Sequence, residues 1–159
     1  MNIFSHFSQL QLTQDQESAL KGIQNFLENK NDVFILKGYA GTGKTTLING
    51  LVNHLKINGR NFELMAPTGR AAKVINSKVG GNQNATTIHS AIYSYNNLIQ
   101  IKADKGTNTD SFKYIFKLND SLKADEVVYI IDEASMISDV YSEGEFFRFG
   151  SGKLLTDLI

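Results

Sequence analysis

A chain of 159 residues, 42% of them apolar and 20% charged, is long enough for one domain with a real core and too short for two large ones. Its 16 basic residues balance its 16 acidic ones, which speaks against a wholly basic duplex-binding module. The absence of cysteine excludes a disulfide framework and a thiolate metal site. No run approaches the roughly 20 apolar residues of a membrane span. Met1–His6 has neither the basic region nor the apolar core of a secretory signal, so a cytoplasmic protein is expected.

In chain order, residues 1–12 read as a loosely held arm. Thr13-Gln14-Asp15-Gln16 has the form of a capping box, with a hydroxyl at the cap and Gln three residues later. Ala19, Leu20, Ile23, Phe26 and Leu27 then recur at helical spacing, and Asn29-Lys30-Asn31 ends the helix. Val33-Phe34-Ile35-Leu36 predicts a short strand buried on both faces. Beyond a glycine-rich turn, Leu47, Ile48, Leu51, Val52 and Leu55 mark a second helix closing near Gly59. Phe62–Ala66 predicts a strand stopped by Pro67, the single proline, and Ala71, Ala72, Val74 and Ile75 line a short helix that runs to a Gly80-Gly81-Asn82 loop. Thr87–Tyr93 reads as helical, and Leu98–Ile101 and Phe112–Leu118 as strands around a polar loop. Val127–Ile131 is a strongly apolar strand ending at Asp132. Strands alternating with helices predict an α/β fold, a parallel sheet covered on both faces.

Two motifs carry chemistry. Gly38-Tyr39-Ala40-Gly41-Thr42-Gly43-Lys44-Thr45 fits the phosphate-loop pattern in full, between a predicted strand and a helix. A chance match in a chain of this length is on the order of one in a hundred. Gly38, Gly41 and Gly43 let backbone N–H groups approach phosphate oxygens, and the helix start adds its positive end. Lys44 reaches the β- and γ-phosphates, and the Thr45 hydroxyl joins a Mg²⁺ shell. Asp132-Glu133 ends an apolar strand, where open α/β sheets place ligands. Asp132 would hold the Mg²⁺, and Glu133 would polarise the attacking water. Two neighbouring carboxylates on one strand point apart, which suits two roles. ATP and Mg²⁺ are the implied cofactors, and Lys44, Asp132 and Glu133 the catalytic residues. The long interval between Lys44 and Asp132 leaves room for at least one extra strand and helix, so the two motif strands are not consecutive in sequence.

Five ordered blocks then resemble a known family. The chain looks like the N-terminal part of the first RecA-like domain of a superfamily 1 DNA helicase, closest to the RecD-like group (exonuclease V alpha subunit and its relatives), over Leu12–Met136. The resemblance implies a RecA-like P-loop NTPase fold over 13–159. Leu12–Gln16 is similar to the family's Q motif, whose glutamine, here Gln16, reads the adenine edge. Gly38–Thr46 matches the nucleotide block, which adds Thr42 and Thr46 to the expected ATP contacts. Ala66–Lys73 looks like the motif that contacts single-stranded DNA, through Pro67, Thr68, Arg70 and Lys73. Thr87–Ser90 looks like the next DNA-contact motif, with His89, and Ile131–Met136 like the acidic motif.

The resemblance further implies 5′-to-3′ translocation on single-stranded DNA, a role in DNA repair or recombination with possible nuclease or recombination subunits, and a monomeric motor. A basic excess between Lys56 and Lys78, broken only by Glu63, agrees with a local nucleic-acid face. The family's third motif and second RecA-like domain have no counterpart in the chain. A fragment of a longer helicase is therefore expected, nearly inactive by itself. The competing reading is a P-loop ATPase that remodels proteins without a nucleic-acid track, for which Pro67–Arg70 after the second strand has no evident use. A non-enzymatic nucleotide-binding regulator is a third, which Glu133 argues against.

Overall fold

The computed structural model describes residues 2–29, 31–80, 84–103, 111–119 and 127–159. Its first long helix, α1 (Gln14–Glu28), starts at the predicted capping box. The Thr13 hydroxyl accepts from the Gln16 N–H, and the Gln16 side chain accepts from the Thr13 N–H. Helix α2 (Lys44–Ile57) follows the phosphate loop and closes on Asn58 and a left-handed Gly59. Strand β1 (Phe62–Ala66) leads to α3 (Gly69–Lys78). The short β2 (Thr86–Thr87) leads directly to α4 (Ile88–Ile92). Of the predicted loop at Gly80–Asn82, Gly80 is described, with φ +95, and the other two residues lie outside the described set.

The two strands expected around a polar loop form a hairpin, β3 (Tyr93–Ala103) and β4 (Ser111–Leu118). Then come β5 (Val128–Ile131), β6 (Phe147–Phe149) and a last short helix, α5 (Leu154–Leu158). Strands β2, β1 and β5 form a parallel sheet in that order. Strand β4 pairs antiparallel with β3 and parallel with β6 in a second sheet.

The pleat of the parallel sheet sorts its side chains into two cores. Leu64 and Ile130 enter the first, with Leu20 and Ile23 of α1, Leu47, Leu51, Val52 and Leu55 of α2, and Ile75 of α3. Met65 of β1, with Tyr129 and Ile131 of β5, faces the second, around Ile88, Ile92 and Tyr93. The sheet is thus covered on both faces, as predicted. The second cover differs in kind from the first: short helices α4 and α5 and the rings of Phe116 and Phe149 from the other sheet take the place of long helices.

Two expectations need correction. Val33–Leu36 has no regular secondary structure and joins no ladder, and Val33 and Ile35 are 53% and 68% exposed. Phe34 leans on Gly22 and Phe26 of α1, and Leu36 packs on the first core. The segment is therefore held by alternate side chains on one face only. An apolar run records hydrophobicity, but not whether backbone partners stand beside it.

The N-terminal arm is also not loose. Ile3–Phe7 forms a 3₁₀ turn whose Ile3 and Phe7 are buried in the first core. The Phe7 ring lies directly on Gly50 of α2, where an added methyl would overlap it. Replacing Gly50 by Ala raises helix propensity by about 1 kcal/mol, whereas overpacking costs about 1–3 kcal/mol. The expected result for Gly50→Ala is a melting temperature lower by a few degrees, with the N-terminal turn displaced. A melting temperature above wild type in thermal unfolding would show that Phe7 moves aside freely, leaving only the gain in helix propensity.

Candidate nucleotide site

The phosphate loop is shaped by its own backbone and by Gln16. Gly43, the residue before α2, has φ +85, a left-handed conformation that costs glycine nothing. Gly41 has φ +79 and open space where a side chain would stand, so no neighbouring atom obstructs an approach there. Thr42 donates its hydroxyl to the Tyr39 carbonyl at 2.8 Å, and Gly38 lies against that hydroxyl. The Lys44 ammonium donates to the Gly38 and Tyr39 carbonyls at 2.7 and 2.8 Å. It therefore spans the loop it would share with phosphates. Thr45 is half-buried in the first turn of α2, and Thr46 beside it is exposed.

From α1, the Gln16 side chain donates to the Thr42 carbonyl at 3.0 Å. This brings the predicted base-reading residue onto the loop, a contact across 26 positions that no local pattern could disclose.

The acidic pair is parted by a turn and not by a pleat. Strand β5 ends at Ile131, and the Asp132 N–H donates to the Met65 carbonyl of β1. Glu133 has already left the strand, with φ 54, alone among the described non-glycine residues in having positive φ. Such a conformation costs a bulky residue about 1–3 kcal/mol and persists where the surroundings enforce it. Glu133 thus leaves the line of the strand as the residue that opens the 3₁₀ turn Ala134–Met136.

The residues present suit a magnesium triphosphate. Magnesium keeps several waters and takes one or two protein oxygens plus phosphates. Among the described residues no group of three His, Cys, Asp or Glu could cage a metal by itself. Thr45 and Asp132 are the residues that would hold the ion, and bound there it would neutralise charge developing on phosphate oxygens.

Parallel register brings the remaining candidates to the same sheet edge. Ala66 is level with Thr87, and Met65 with Ile131, so Pro67-Thr68, Thr87 and Asp132 all lie at the C-terminal ends of adjacent strands. Thr68 caps α3, accepting from the Ala71 N–H at 3.2 Å, and Thr87 caps α4, accepting from the Ser90 N–H at 3.1 Å. Pro67 is half-buried, while Arg70 and Lys73 are exposed one turn apart on α3.

His89 is placed differently from those two. It is half-buried, with its ring 5.1 Å from that of Phe149 and 5.6 Å from that of Tyr93. Burial holds its imidazole below the ordinary value, so it presents a neutral ring and not a cation at pH 7. Sequence reasoning did not find the Tyr93 hydroxyl bond to Asp157 at 2.6 Å, which ties α5 to β3. Burial, first, and this carboxylate, second, push the Tyr93 phenol well above its usual range. Nothing in the local sequence marks the pair.

Comparison with known proteins agrees with this geometry. The AAA domain family matches residues 11–143. An uncharacterised protein of Methanocaldococcus jannaschii is 34% identical over 78% of the chain and 10% of its own length. The ATP-dependent DNA helicase dda of Enterobacteria phage T4 is 39% identical over 51% of the chain and 18% of its own length. An uncharacterised protein of Acanthamoeba polyphaga mimivirus is 28% identical over 79% of the chain and 27% of its own length. The chain thus spans from a tenth to about a quarter of these relatives. Among the described residues no helix is long and apolar enough to cross a membrane. With its phosphate loop, parallel sheet and acidic strand end, the chain belongs to the AAA domain family and has an α/β fold of the P-loop NTPase kind.

Proposed function

We propose that the chain is the ATP-binding part of a DNA motor, a helicase or translocase that hydrolyses ATP with Mg²⁺ and tracks single-stranded DNA. One observation carries the reading. The candidate DNA-contact turn at Pro67–Arg70 follows β1, the strand paired with β5, which Asp132 follows in turn. A nucleotide-driven shift at the acidic strand end therefore reaches the DNA-facing turn across a single ladder. Similarity to the phage T4 helicase supports the same assignment. The RecD-like resemblance of the five motif blocks supports 5′-to-3′ movement and a setting in DNA repair or recombination.

In this mechanism Lys44 and the loop N–H groups bind the β- and γ-phosphates, and Thr45 and Asp132 would hold the Mg²⁺. Glu133 accepts a proton from the attacking water as the water oxygen bonds to the γ-phosphorus and the bond from that phosphorus to the β–γ bridging oxygen breaks, with ADP as the leaving group. Thr68 and the exposed cations Arg70 and Lys73 contact the strand's phosphates. Gln16 contacts the adenine edge, and His89 contributes through its neutral ring.

The test is the ATPase rate of the full-length protein with and without single-stranded DNA. Stimulation is expected, weakening with salt as phosphate contacts require, and Arg70→Ala should lose most of the increment. An ATPase indifferent to single-stranded DNA at low salt would point instead to a protein-remodelling NTPase.

A further inference from the structure

We infer that Gln16 is a positioning residue for the phosphate loop itself, so that it acts on the triphosphate as well as on a base. This rests on the nucleotide-site reading of the loop. The Gln16 amide is oriented without ambiguity. Its oxygen accepts from the Thr13 N–H at 3.0 Å, and its nitrogen donates to the Thr42 carbonyl at 3.0 Å. Turning the amide over would set oxygen against oxygen and N–H against N–H, losing both bonds.

The bond to Thr42 fixes more than one oxygen. In a trans peptide the C=O and the N–H point to opposite sides of one plane. Holding the Thr42 carbonyl toward Gln16 therefore turns the Gly43 N–H away from it, the orientation in which it would donate to a loop-bound anion. Thr42 is bonded to Tyr39 on one side of this peptide and the Gly43 carbonyl accepts from Leu47 on the other, but the peptide's own carbonyl, that of Thr42, needs a partner from outside the loop. Gln16 supplies that partner. The fit is close, since a Cβ on Gly43 would stand 2.6 Å from the Gln16 amide nitrogen. A side chain at 43 would therefore push the Gln16 amide off the loop, while φ +85 favours glycine there on backbone grounds. Each end of the amide keeps one further valence, an N–H and a lone pair, so base contact and loop clamp are compatible in one side chain.

The experiment separates the two actions with a ligand that has no base. Binding of Mg²⁺-tripolyphosphate and of Mg²⁺-ATP is measured by calorimetry on the full chain for wild type, Gln16→Met, Thr13→Ala and Lys44→Ala. Methionine keeps length, helix propensity and charge neutrality but cannot donate to Thr42. Thr13→Ala weakens the same helix cap while leaving the Gln16–Thr42 bond in place, and so reports any merely structural effect. Gln16→Met is expected to weaken tripolyphosphate about threefold to tenfold, the usual worth of one hydrogen bond, with Thr13→Ala close to wild type. Unchanged tripolyphosphate affinity in Gln16→Met, with ATP alone weakened, would confine Gln16 to the base and overturn the inference. Equal losses in Gln16→Met and Thr13→Ala would overturn it too, by assigning the effect to the cap. If wild type and Lys44→Ala bind neither ligand differently, the nucleotide-site reading fails first and the inference falls with it.

Discussion

Lys44→Ala is expected to abolish all but a trace of nucleotide hydrolysis while leaving the fold intact. Lys44 is the one side-chain cation of the loop, and its ammonium already spans that loop, donating to the Gly38 and Tyr39 carbonyls. When a triphosphate binds, the same donors can exchange neutral carbonyls for charged phosphate oxygens, and hydrogen bonds to charged groups are each worth about 1.5–3 kcal/mol. Losing two of them corresponds to a rate loss of roughly 10² or more. Stability should change little, because alanine is the best helix former at the first position of α2 and no buried group loses its sole partner. The measurements are steady-state turnover and thermal unfolding of the full-length variant. Wild-type turnover would remove the loop from the mechanism, and a large drop in melting temperature would show that Lys44 holds the loop structurally.

The parts of this fold that were legible in the sequence are those in which neighbouring residues settle their own conformation. Thr13 and Gln16 satisfy each other's N–H groups within one turn, so the start of α1 could be read at the residue. Strands β1 and β5 were readable because Leu64, Met65, Ile130 and Ile131 face two cores and must be apolar throughout. What was not legible depends on which distant element arrives. Val33–Leu36 has the composition of a buried strand, yet only Phe34 and Leu36 find packing. Ile3 and Phe7 are four positions apart, a signal of one buried side, but whether Gly50 lies beneath them is decided by tertiary structure. Strand β6 reads as three residues, Phe147-Arg148-Phe149, too short to stand out, and it exists because β4 offers an edge. At the site, the loop and acidic pair were legible by type and order. The Gln16–Thr42 bond, the ring packing of His89 and the left-handed turn at Glu133 were not.

That turn bears on the second large effect. Glu133→Gln preserves shape and hydrogen-bonding length but removes the charge that accepts a proton from water. Turnover is expected to fall by about 10² to 10⁴, the usual worth of a general base, while binding of magnesium nucleotide persists. The backbone supplies an internal control. Glutamine at φ 54 meets the same left-handed strain as glutamate, so Glu133→Gln should melt with wild type. Glu133→Gly should lose turnover as well but melt higher, because glycine relieves a strain of about 1–3 kcal/mol. Opposite movement of stability and activity in the glycine variant is the signature of a residue held in an unfavourable conformation for its chemistry. If Glu133→Gln keeps wild-type turnover, Glu133 is a structural corner between β5 and the following turn. The water-activating group must then be sought elsewhere.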